Sequence, residues 1–527
     1  MRNTLLLIFV AAICWSQDQP AEYTIAGTVI DSVSRRPMGR IRVVVSPMSR
    51  PAAELAAGTT GEDGNFQFQV PKGTYTLRAQ RNGLMSQSYG SESLRSDFGV
   101  AVITGPGQST ANLTFALHPP ASISGTVLDE AGEPVEAANV QLLHATVIAG
   151  RKSVSTMAWG RTNDLGEYRF SGLGSGEYFL GVTGKPWFAS NQLPEFGGAA
   201  ASSELLRTAF VPMYYPNTSD PRAAAPLQVK PGQDAVANFA LFTKPGFSLT
   251  ILCESCAGKM MRMDVLSEGI HGTQSYQQTE YLYGRKVIPA IPPGQYEVLV
   301  KNQDPAKPLS AAAKVDLSAG DAEVTLSPQE SARVIGQVML READPRLVRR
   351  LFVSLLSEDN LSRGFSRELA ADGTFQLPVT TAGRYRLLIT GVPGVYASQV
   401  TSEDSALRDG VLDIGTTTQV RVNVVASGSI GRAKGFVRRK GEPVPGVLVV
   451  LASAALPSDP LGYLGYLTDS DGSFDFKNIR PGEYRLFALT DSRFEYANPA
   501  AVRPYLAAAK PLVVAKSSLI EEDLELP

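Results

Sequence analysis

Polar and apolar residues alternate in a phrase that recurs along the chain. In its first copy, the turn at Asp63-Gly64 leads into Phe66-Gln67-Phe68, and a second glycine turn leads into a run that carries Tyr75. Alternation places both phenylalanine rings on one face of a strand. An Asp-Gly pair supplies the positive φ that a tight hairpin turn needs. The phrase therefore predicts a β-hairpin with one buried face.

Five copies of this phrase divide the chain. Each copy has a tyrosine in its second strand, and these marker tyrosines are Tyr75, Tyr178, Tyr296, Tyr385 and Tyr484. They recur about every 100 residues, which is the length of an immunoglobulin-like sandwich. A chain of 527 residues is also too long for one hydrophobic core, because cores stop growing at about 250–300 residues. The pattern predicts an all-β chain of tandem immunoglobulin-like β-sandwiches.

Two further phrases predict where each sandwich begins and ends. Most begin with a strand that contains glycine, such as residues 25–29 around Gly27, and most end with an alternating strand, such as residues 113–117. Cutting between ending and beginning strands predicts domains at 21–118, 119–244, 245–328, 329–426 and 427–527. The third domain is divergent because its first strand, residues 247–251, lacks the glycine.

The second domain is the longest because it holds an insertion, residues 187–226, rich in alanine, glycine, proline and asparagine. Within it, residues 199–210 could form a short helix. Residues 500–509 of the fifth domain have a similar composition, and we predict a short helix there as well.

The N-terminus has the features of a signal peptide. Arg2 supplies a positive charge, residues 5–15 form an apolar run, and Ser16 is a small residue at its end. The run is shorter than the ~20 residues of a membrane span. A lipoprotein anchor at Cys14 would need a small residue before it, and Ile13 is not small. We predict a signal peptide at 1–16, no membrane span, and a secreted or periplasmic protein.

Charge and histidine content restrict the function further. Lys and Arg total 49 and Asp and Glu total 51, so the chain lacks the basic surface that nucleic-acid binding requires. The three histidines, His118, His144 and His271, fall in three different domains, and none begins a His-x-x-Glu pair. Zinc peptidase chemistry needs His and Glu ligands, and a Ser-His-Asp triad needs a placed histidine. We predict no catalytic residues, no cofactor and no metal site.

Two local motifs keep alternative interpretations open. Cys253 and Cys256 flank a two-residue turn between two predicted strands, which favours a structural disulfide over free thiols or a redox or metal site. Asp469-Ser470-Asp471-Gly472 places oxygen ligands at alternate positions, as calcium loops do, but it lacks a glutamate at the twelfth position. Asp and Gly also form turns by themselves, and a plain turn is the favoured interpretation.

Several aromatic residues lie outside the recurring phrase. Exposed rings can stack on sugar faces, and the candidates for ligand binding are Trp159, Trp187, Tyr214 and Tyr215. Phe188, Tyr463 and Tyr466 are further aromatic residues that could stack on a sugar face in this way. For each of them, packing in a core or loop is the alternative. The marker tyrosines resemble the tyrosine corner, in which the ring packs inward and the hydroxyl bonds the backbone.

One segment resembles a known family. From Ile123 the chain reads ISGTVLDEAGEPVEAANVQL, and it continues as TNDLGEYRFSGLGSGEYFLGV up to Val182. This segment resembles the carboxypeptidase regulatory-like domain, and the first and fifth domains resemble it strongly too. The resemblance implies a transthyretin-like β-sandwich, a fold grouped with carbohydrate-binding-like domains. The family domain usually accompanies another unit such as a zinc peptidase, and the sequence shows none.

These observations predict a non-catalytic secreted protein whose sandwiches form a rod that acts as a binding or spacer surface. Two alternatives stay open. One is a carbohydrate-binding protein, which the fold grouping and the loop aromatics suggest. The other is an accessory or regulatory protein of a secreted peptidase, which the family name suggests. The expected partners are a polysaccharide or another extracytoplasmic protein.

Overall fold

The structure is a computed structural model. It describes residues 22–49, 53–81, 84–91, 99–108, 110–186, 207–270, 272–276, 280–302, 304, 308–358, 364–379, 382–405, 407–408, 410–414, 419–454 and 460–526. The predicted signal peptide at 1–16 lies outside the described residues, as do Cys14, Trp187, Phe188 and His271. Among the described residues, no helix has the length and hydropathy that a membrane crossing needs.

Sandwich 1 shows the arrangement that the other sandwiches vary. Its strands are β1 (Glu22–Asp31), β2 (Arg42–Pro47), β3 (Ala56–Thr59), β4 (Asn65–Pro71), β5 (Gly73–Arg81), β6 (Leu84–Ser88), β7 (Val102–Thr104) and β8 (Leu113–Leu117). One sheet has the order β4-β1-β8, and the other has the order β3-β2-β5-β6 with β7 also on β5. Phe66 and Phe68 from the first sheet and Tyr75 and Leu77 from the second share one buried core. The alternation of the phrase thus fills the space between two sheets.

Sandwich 2 has the same two sheets and an additional pair of short strands. Its strands are β9 (Ala121–Leu128), β10 (Asn139–Ile148), β11 (Arg151–Arg161), β12 (Glu167–Leu173), β13 (Gly176–Thr183), β14 (Thr208–Phe210), β15 (Met213–Tyr214), β16 (Leu227–Val229), β17 (Asp234–Val236), β18 (Phe239–Ala240) and β19 (Thr243–Pro245). The sheet orders are β12-β9-β17, with β18 also on β9, and β11-β10-β13-β15, with β16 also on β13. Because β14 pairs with β19, the helix predicted over 199–210 is wrong at its C-terminal end.

Sandwich 3 pairs a three-stranded sheet with a six-stranded one. Its strands are β20 (Phe247–Leu252), β21 (Met261–Gly269), β22 (Gly272–Ser275), β23 (Glu280–Leu282), β24 (Arg285–Ile291), β25 (Gln295–Lys301), β26 (Leu309–Asp316), β27 (Ala322–Thr325) and β28 (Gln329–Glu330). The orders are β24-β20-β27 and β22-β21-β25-β26-β28, with β23 also on β21.

Sandwich 4 pairs a four-stranded sheet with a five-stranded one. Its strands are β29 (Ala332–Arg341), β30 (Phe352–Ser357), β31 (Gly364–Glu368), β32 (Thr374–Val379), β33 (Gly383–Thr390), β34 (Tyr396–Ser402), β35 (Leu407–Arg408), β36 (Val411–Ile414) and β37 (Gln419–Ser427). The orders are β32-β29-β37-β34 and β31-β30-β33-β36-β35.

Sandwich 5 has a second buried layer. Its elements are β38 (Gly431–Arg439), β39 (Glu442–Pro443), β40 (Leu448–Ser453), β41 (Tyr463–Leu467), β42 (Ser473–Ile479), β43 (Gly482–Leu489), α1 (Pro499–Leu506), β44 (Lys510–Val514), β45 (Leu519–Glu521) and β46 (Leu524–Glu525). The sheet β41-β40-β43-β44 is covered on its outer face by residues that include Tyr496 and Val502. The helix predicted over 500–509 is confirmed as α1. The domain boundaries stay a prediction.

In every sandwich the first strand pairs in parallel with a strand near the C-terminal end of that sandwich, and in four of them a glycine permits this pairing. A β carbon at Gly27 would lie 2.1 Å from the carbonyl oxygen of Leu113. The equivalent distances are 1.9 Å at Gly125, 2.0 Å at Gly336 and 1.9 Å at Gly435. Only a residue without a side chain fits under the crossing backbone there.

Four of the five marker tyrosines form the corner that the sequence predicts. The hydroxyls of Tyr75, Tyr178, Tyr296 and Tyr484 each donate a hydrogen bond of 2.8–2.9 Å to the carbonyl four residues earlier. Three buried threonines repeat in a similar way, because Thr60, Thr162 and Thr468 each bond both a carbonyl and an amide of the preceding loop. These bonds satisfy backbone groups where the chain changes sheet.

The two cysteines lie in sandwich 3 and are joined as a disulfide, with their α carbons 5.3 Å apart. They do not flank a two-residue hairpin turn, because residues Glu254–Cys256 form one turn of 3-10 helix. Both side chains are part of the buried core, and the amide of Cys253 donates to the carbonyl of Gly284.

The chain folds back on itself, so the expectation of a rod is wrong. Sandwich 5 contacts sandwich 1, where the amide of Ser470 donates to the carbonyl of Ala101 at 2.9 Å. It also contacts sandwich 2, where the amide of Ala497 donates to the carbonyl of Gly150 at 2.8 Å. Its third contact, with sandwich 4, includes an ion pair between Lys516 and Glu342.

We expect Gly435→Ala to destabilise sandwich 5 by about 4 kcal/mol or more, because the new methyl group would overlap a backbone oxygen that cannot move alone. Gly320→Ala is the matched control, since nothing lies within 4 Å of a β carbon there, and its effect should stay within about 0.5 kcal/mol. Hydrogen exchange followed by mass spectrometry locates the loss. Equal protection of sandwich 5 in both variants would contradict this account.

We expect a thiol titration of residues 17–527 to find no reactive thiol in native or denatured protein before reduction, and two after it. Replacing both cysteines by serine should lower the stability of sandwich 3 by about 2 kcal/mol, the entropy of closing so short a loop. Two thiols in the unreduced, denatured protein would show that the bond does not form in solution.

Candidate ligand-binding surface

A row of four residues crosses the second sheet of sandwich 2 on one face. Strand pairing places Gln141 opposite both Trp159 and Gly181, and Gly181 opposite Tyr214. Because side chains alternate along each strand, these four residues share the outer face of the sheet. The inner face belongs to residues such as Val140 and Leu142, which lie in the core.

The row changes from open to covered along its length. The side chain of Trp159 is 58% exposed, whereas Tyr214 is 3% exposed. Tyr214 is covered by sandwich 3, where the amide of Gln274 donates to its hydroxyl at 3.0 Å. Burial raises the pKa of Tyr214 to about 12, so the hydroxyl is neutral at physiological pH.

The middle of the row consists of a buried polar side chain and a glycine, so it does not project from the sheet. Gln141 is buried on this outer face, and its amide donates to the hydroxyl of Thr156 at 2.8 Å. Gly181 has no side chain, and a β carbon there would lie 3.1 Å from the ring of Tyr214. The crevice along the row has a volume of about 10 Å³, which is room for one water molecule. A larger ligand would therefore lie against the exposed indole of Trp159, outside the crevice.

The structure separates the aromatic candidates that the sequence groups together. Trp159 and Tyr214 lie in the same row, but Tyr215 points the other way and packs against the core of sandwich 2. Trp187 lies outside the described residues. Tyr463 is part of the second buried layer of sandwich 5. Tyr466 packs beside the first core of that sandwich, where its ring meets Phe476.

The two described histidines take part in local packing. The Nε2 atom of His118 lies 2.9 Å from the carbonyl oxygen of Ser91. The ring of His144 stacks on Tyr178, with 4.5 Å between the ring centroids. Within the described ranges, no group of three or more His, Cys, Asp or Glu side chains is arranged to hold a metal ion.

Two larger hollows lie away from the row. A groove of about 950 Å³ follows the outer face of sandwich 4, where Thr374, Gln337, Asn423 and Thr401 form a polar row across four strands. A cleft of about 800 Å³ separates sandwich 1 from sandwich 5. All the cations that line this cleft, Arg432, Lys434 and Lys477, are paired with acidic residues of sandwich 5.

Sequence reasoning missed Gln141 and Gly181. A glutamine inside the apolar run from Val140 to Leu143 is a signal that one face of this strand is not part of the core. The signal becomes specific only with the strand register, which brings Trp159 beside that glutamine.

Comparison with solved structures gives only distant similarities. A double mutant of the shaft pilin SpaA from Lactobacillus rhamnosus GG has 10% identity and a TM-score of 0.20, over 43% of this chain and 98% of the pilin. The TIE protein of Bacillus anthracis has 10% identity and a TM-score of 0.14, over 97% and 75%. BcpA, the major pilin subunit of Bacillus cereus, has 10% identity and a TM-score of 0.13, over 77% and 99%. At these TM-scores the similarities carry no inference.

No curated protein matches the sequence. A family model does match two consecutive segments, residues 24–118 and 122–197, and it describes the carboxypeptidase regulatory-like domain. The first segment covers the strands of sandwich 1, and the second begins in the first strand of sandwich 2. These two segments therefore match the carboxypeptidase regulatory-like domain as tandem copies.

Proposed function

We propose that this chain is a non-catalytic, extracytoplasmic binding protein and that the row Trp159–Gln141–Gly181–Tyr214 is part of its ligand-binding surface. The observation that carries the proposal is the exposed indole of Trp159, held at the open end of this row. An indole that is 58% exposed leaves its flat face available to stack on a ligand.

The row is suited to a ligand with one flat apolar face and polar edges. The indole of Trp159 supplies a broad apolar plane at low conformational cost. Gln141 and Tyr214 are buried farther along the row, where their bonds to Thr156 and Gln274 fix the surface beside the indole. A pyranose ring has this form, since its C–H groups face one side and its hydroxyls point outward. We therefore propose a polysaccharide as the ligand.

The support of the row favours a preorganised site. Gln141 is fixed by its bond to Thr156, and Tyr214 is fixed by its bond to Gln274. An ion pair between Arg222 and Glu268, with contacts of 2.8 and 3.0 Å, also joins sandwich 2 to sandwich 3 beside it. A surface that is already ordered loses less entropy when a ligand binds.

A second candidate function is regulation of a secreted peptidase. The observation in its favour is the match of residues 24–118 and 122–197 to the carboxypeptidase regulatory-like domain. In this case the partner is a protein, and the binding of polysaccharides should be absent.

We expect purified protein, residues 17–527, to bind polysaccharides in a glycan screen, and we expect Trp159→Ala to weaken binding at least tenfold by removing the stacking plane. Isothermal titration with the best ligand measures the change. The matched control is Tyr283→Ala, because Tyr283 is similarly exposed, at 61%, but lies on sandwich 3 away from the row. Both variants should unfold at the temperature of the unchanged protein.

Three results would count against the proposal. If Trp159→Ala binds as tightly as the unchanged protein, the row is not the site. If no glycan binds and a pull-down from the secreted fraction recovers a peptidase, the second candidate replaces the first. Hydrolase activity that a point substitution abolishes would refute a non-catalytic role.

A further inference from the structure

We propose that sandwich 5 is a clasp that closes the chain onto sandwiches 1 and 2, and that loss of a proton from Asp469 opens it. The proposal begins from the contact between sandwiches 1 and 5. The turn of residues 469–472 forms one part of this contact, and a cleft of about 800 Å³ lies beside it.

Ser470 bonds sandwich 1 through both its backbone amide and its side-chain hydroxyl. Its amide donates to the carbonyl of Ala101 at 2.9 Å, and its hydroxyl oxygen accepts from the amide of Ile103 at 3.0 Å. The turn thus binds β7 of sandwich 1 in the manner of an added strand residue. A small shift of the turn would break both hydrogen bonds, because each needs close alignment.

The same turn recurs in other sandwiches, and its first residue differs. The carbonyl of that residue accepts a bond from the amide of a glycine three residues later in sandwiches 1, 2, 4 and 5. The first residues are Gly61, Asn163, Ala370 and Asp469. Only sandwich 5 of these four has a carboxylic acid at this position, so the acid is not needed to form the turn.

Asp469 is buried in an acidic setting. It is 6% exposed, and the hydroxyl of Tyr466 donates to its Oδ2 at 3.1 Å. Asp471 and Asp475 face it with negative charge, and Lys477 faces it with positive charge. Lys477 lies 3.3 Å from Asp475, which also forms a bidentate pair with Arg432. The side chains that sandwich 1 contributes to the cleft, those of Met48, Ser49, Thr74 and Ile103, are uncharged.

Burial raises the pKa of Asp469 to about 7, and the charges of Asp471 and Asp475 add to this effect. The raised pKa means that the closed chain holds the proton more tightly than a solvated turn does. The raised pKa of Asp469 therefore stabilises the closed chain fully below about pH 4. This stabilisation decreases as the pH rises and is absent above about pH 7. If opening returns Asp469 to water, the closing equilibrium falls by up to about tenfold for each pH unit between 5 and 7.

The contact with sandwich 2 depends on the packing of one aromatic ring. The ring of Tyr496 lies between two glycines, Gly150 of sandwich 2 and Gly465 of sandwich 5. A β carbon would lie 2.5 Å from the ring at Gly150 and 2.6 Å from it at Gly465. The other end of sandwich 5 is fixed to sandwich 4, where the guanidinium of Arg480 lies 5.0 Å from the ring centroid of Tyr396. Opening therefore separates sandwich 5 from sandwiches 1 and 2.

The test measures the distance between sandwiches 1 and 5 as pH changes. Fluorophores are attached to cysteines introduced at the exposed positions Val33 and Val513, and energy transfer is recorded at pH 5 and pH 8, with small-angle scattering on the unlabelled chain. We expect a longer distance at pH 8. Asp469→Asn keeps the turn, as Asn163 does in sandwich 2, and should hold the short distance at both pH values.

A pair of glycine variants tests closure without titration. Gly150→Val should open the chain at both pH values, because its side chain displaces the ring of Tyr496. Gly132→Val is the matched control, since both glycines have a φ near +75° and lie in sandwich 2, but nothing lies within 4 Å of a β carbon at Gly132. An unchanged distance in the unaltered chain between pH 5 and 8, or the same change in Asp469→Asn, would overturn proton control. The short distance in Gly150→Val would overturn the clasp.

Discussion

The crossing of a carbonyl over a glycine is the constraint on which the sandwiches depend. In four of the five, a segment near the C-terminal end of the sandwich lies so close to the first strand that its backbone oxygen occupies the place of a side chain at Gly27, Gly125, Gly336 or Gly435. This approach lets the first strand pair in parallel with that segment. A parallel pair makes the chain enter a sandwich at one end and leave it at the other. Each sandwich can therefore follow the previous one along the same direction.

Such a connection favours an extended chain, so closure has to come from contacts outside the repeat. Sandwich 5 supplies them with a turn whose first residue is acidic and with a buried layer that includes Tyr496. The repeated features, which are the tyrosine corners and the buried threonines, stabilise each sandwich alone. At the turn that contacts sandwich 1, sandwich 5 has Asp469 where the equivalent turns have Gly61, Asn163 and Ala370.

Strand β11 connects the two regions that we assign to function. Just before it, Gly150 contacts sandwich 5, and near its other end Trp159 stands beside sandwich 3. The hairpin that carries the proposed ligand surface is therefore also the hairpin that the clasp holds. Closure and binding are separate proposals that involve this same hairpin.

The sequence by itself determined the sandwich fold, because alternation, Asp-Gly turns and marker tyrosines act over a few residues and are visible in the chain. It also indicated Trp159 as a candidate for ligand binding and predicted that Cys253 and Cys256 lie close together. Only the tertiary structure decided that Tyr214 is covered by sandwich 3, that Gln141 and Gly181 lie beside Trp159, and that Ser470 meets Ile103. The last contact joins residues 367 positions apart. No local pattern encodes such a contact, because it depends on how whole sandwiches are oriented by the few side chains between them.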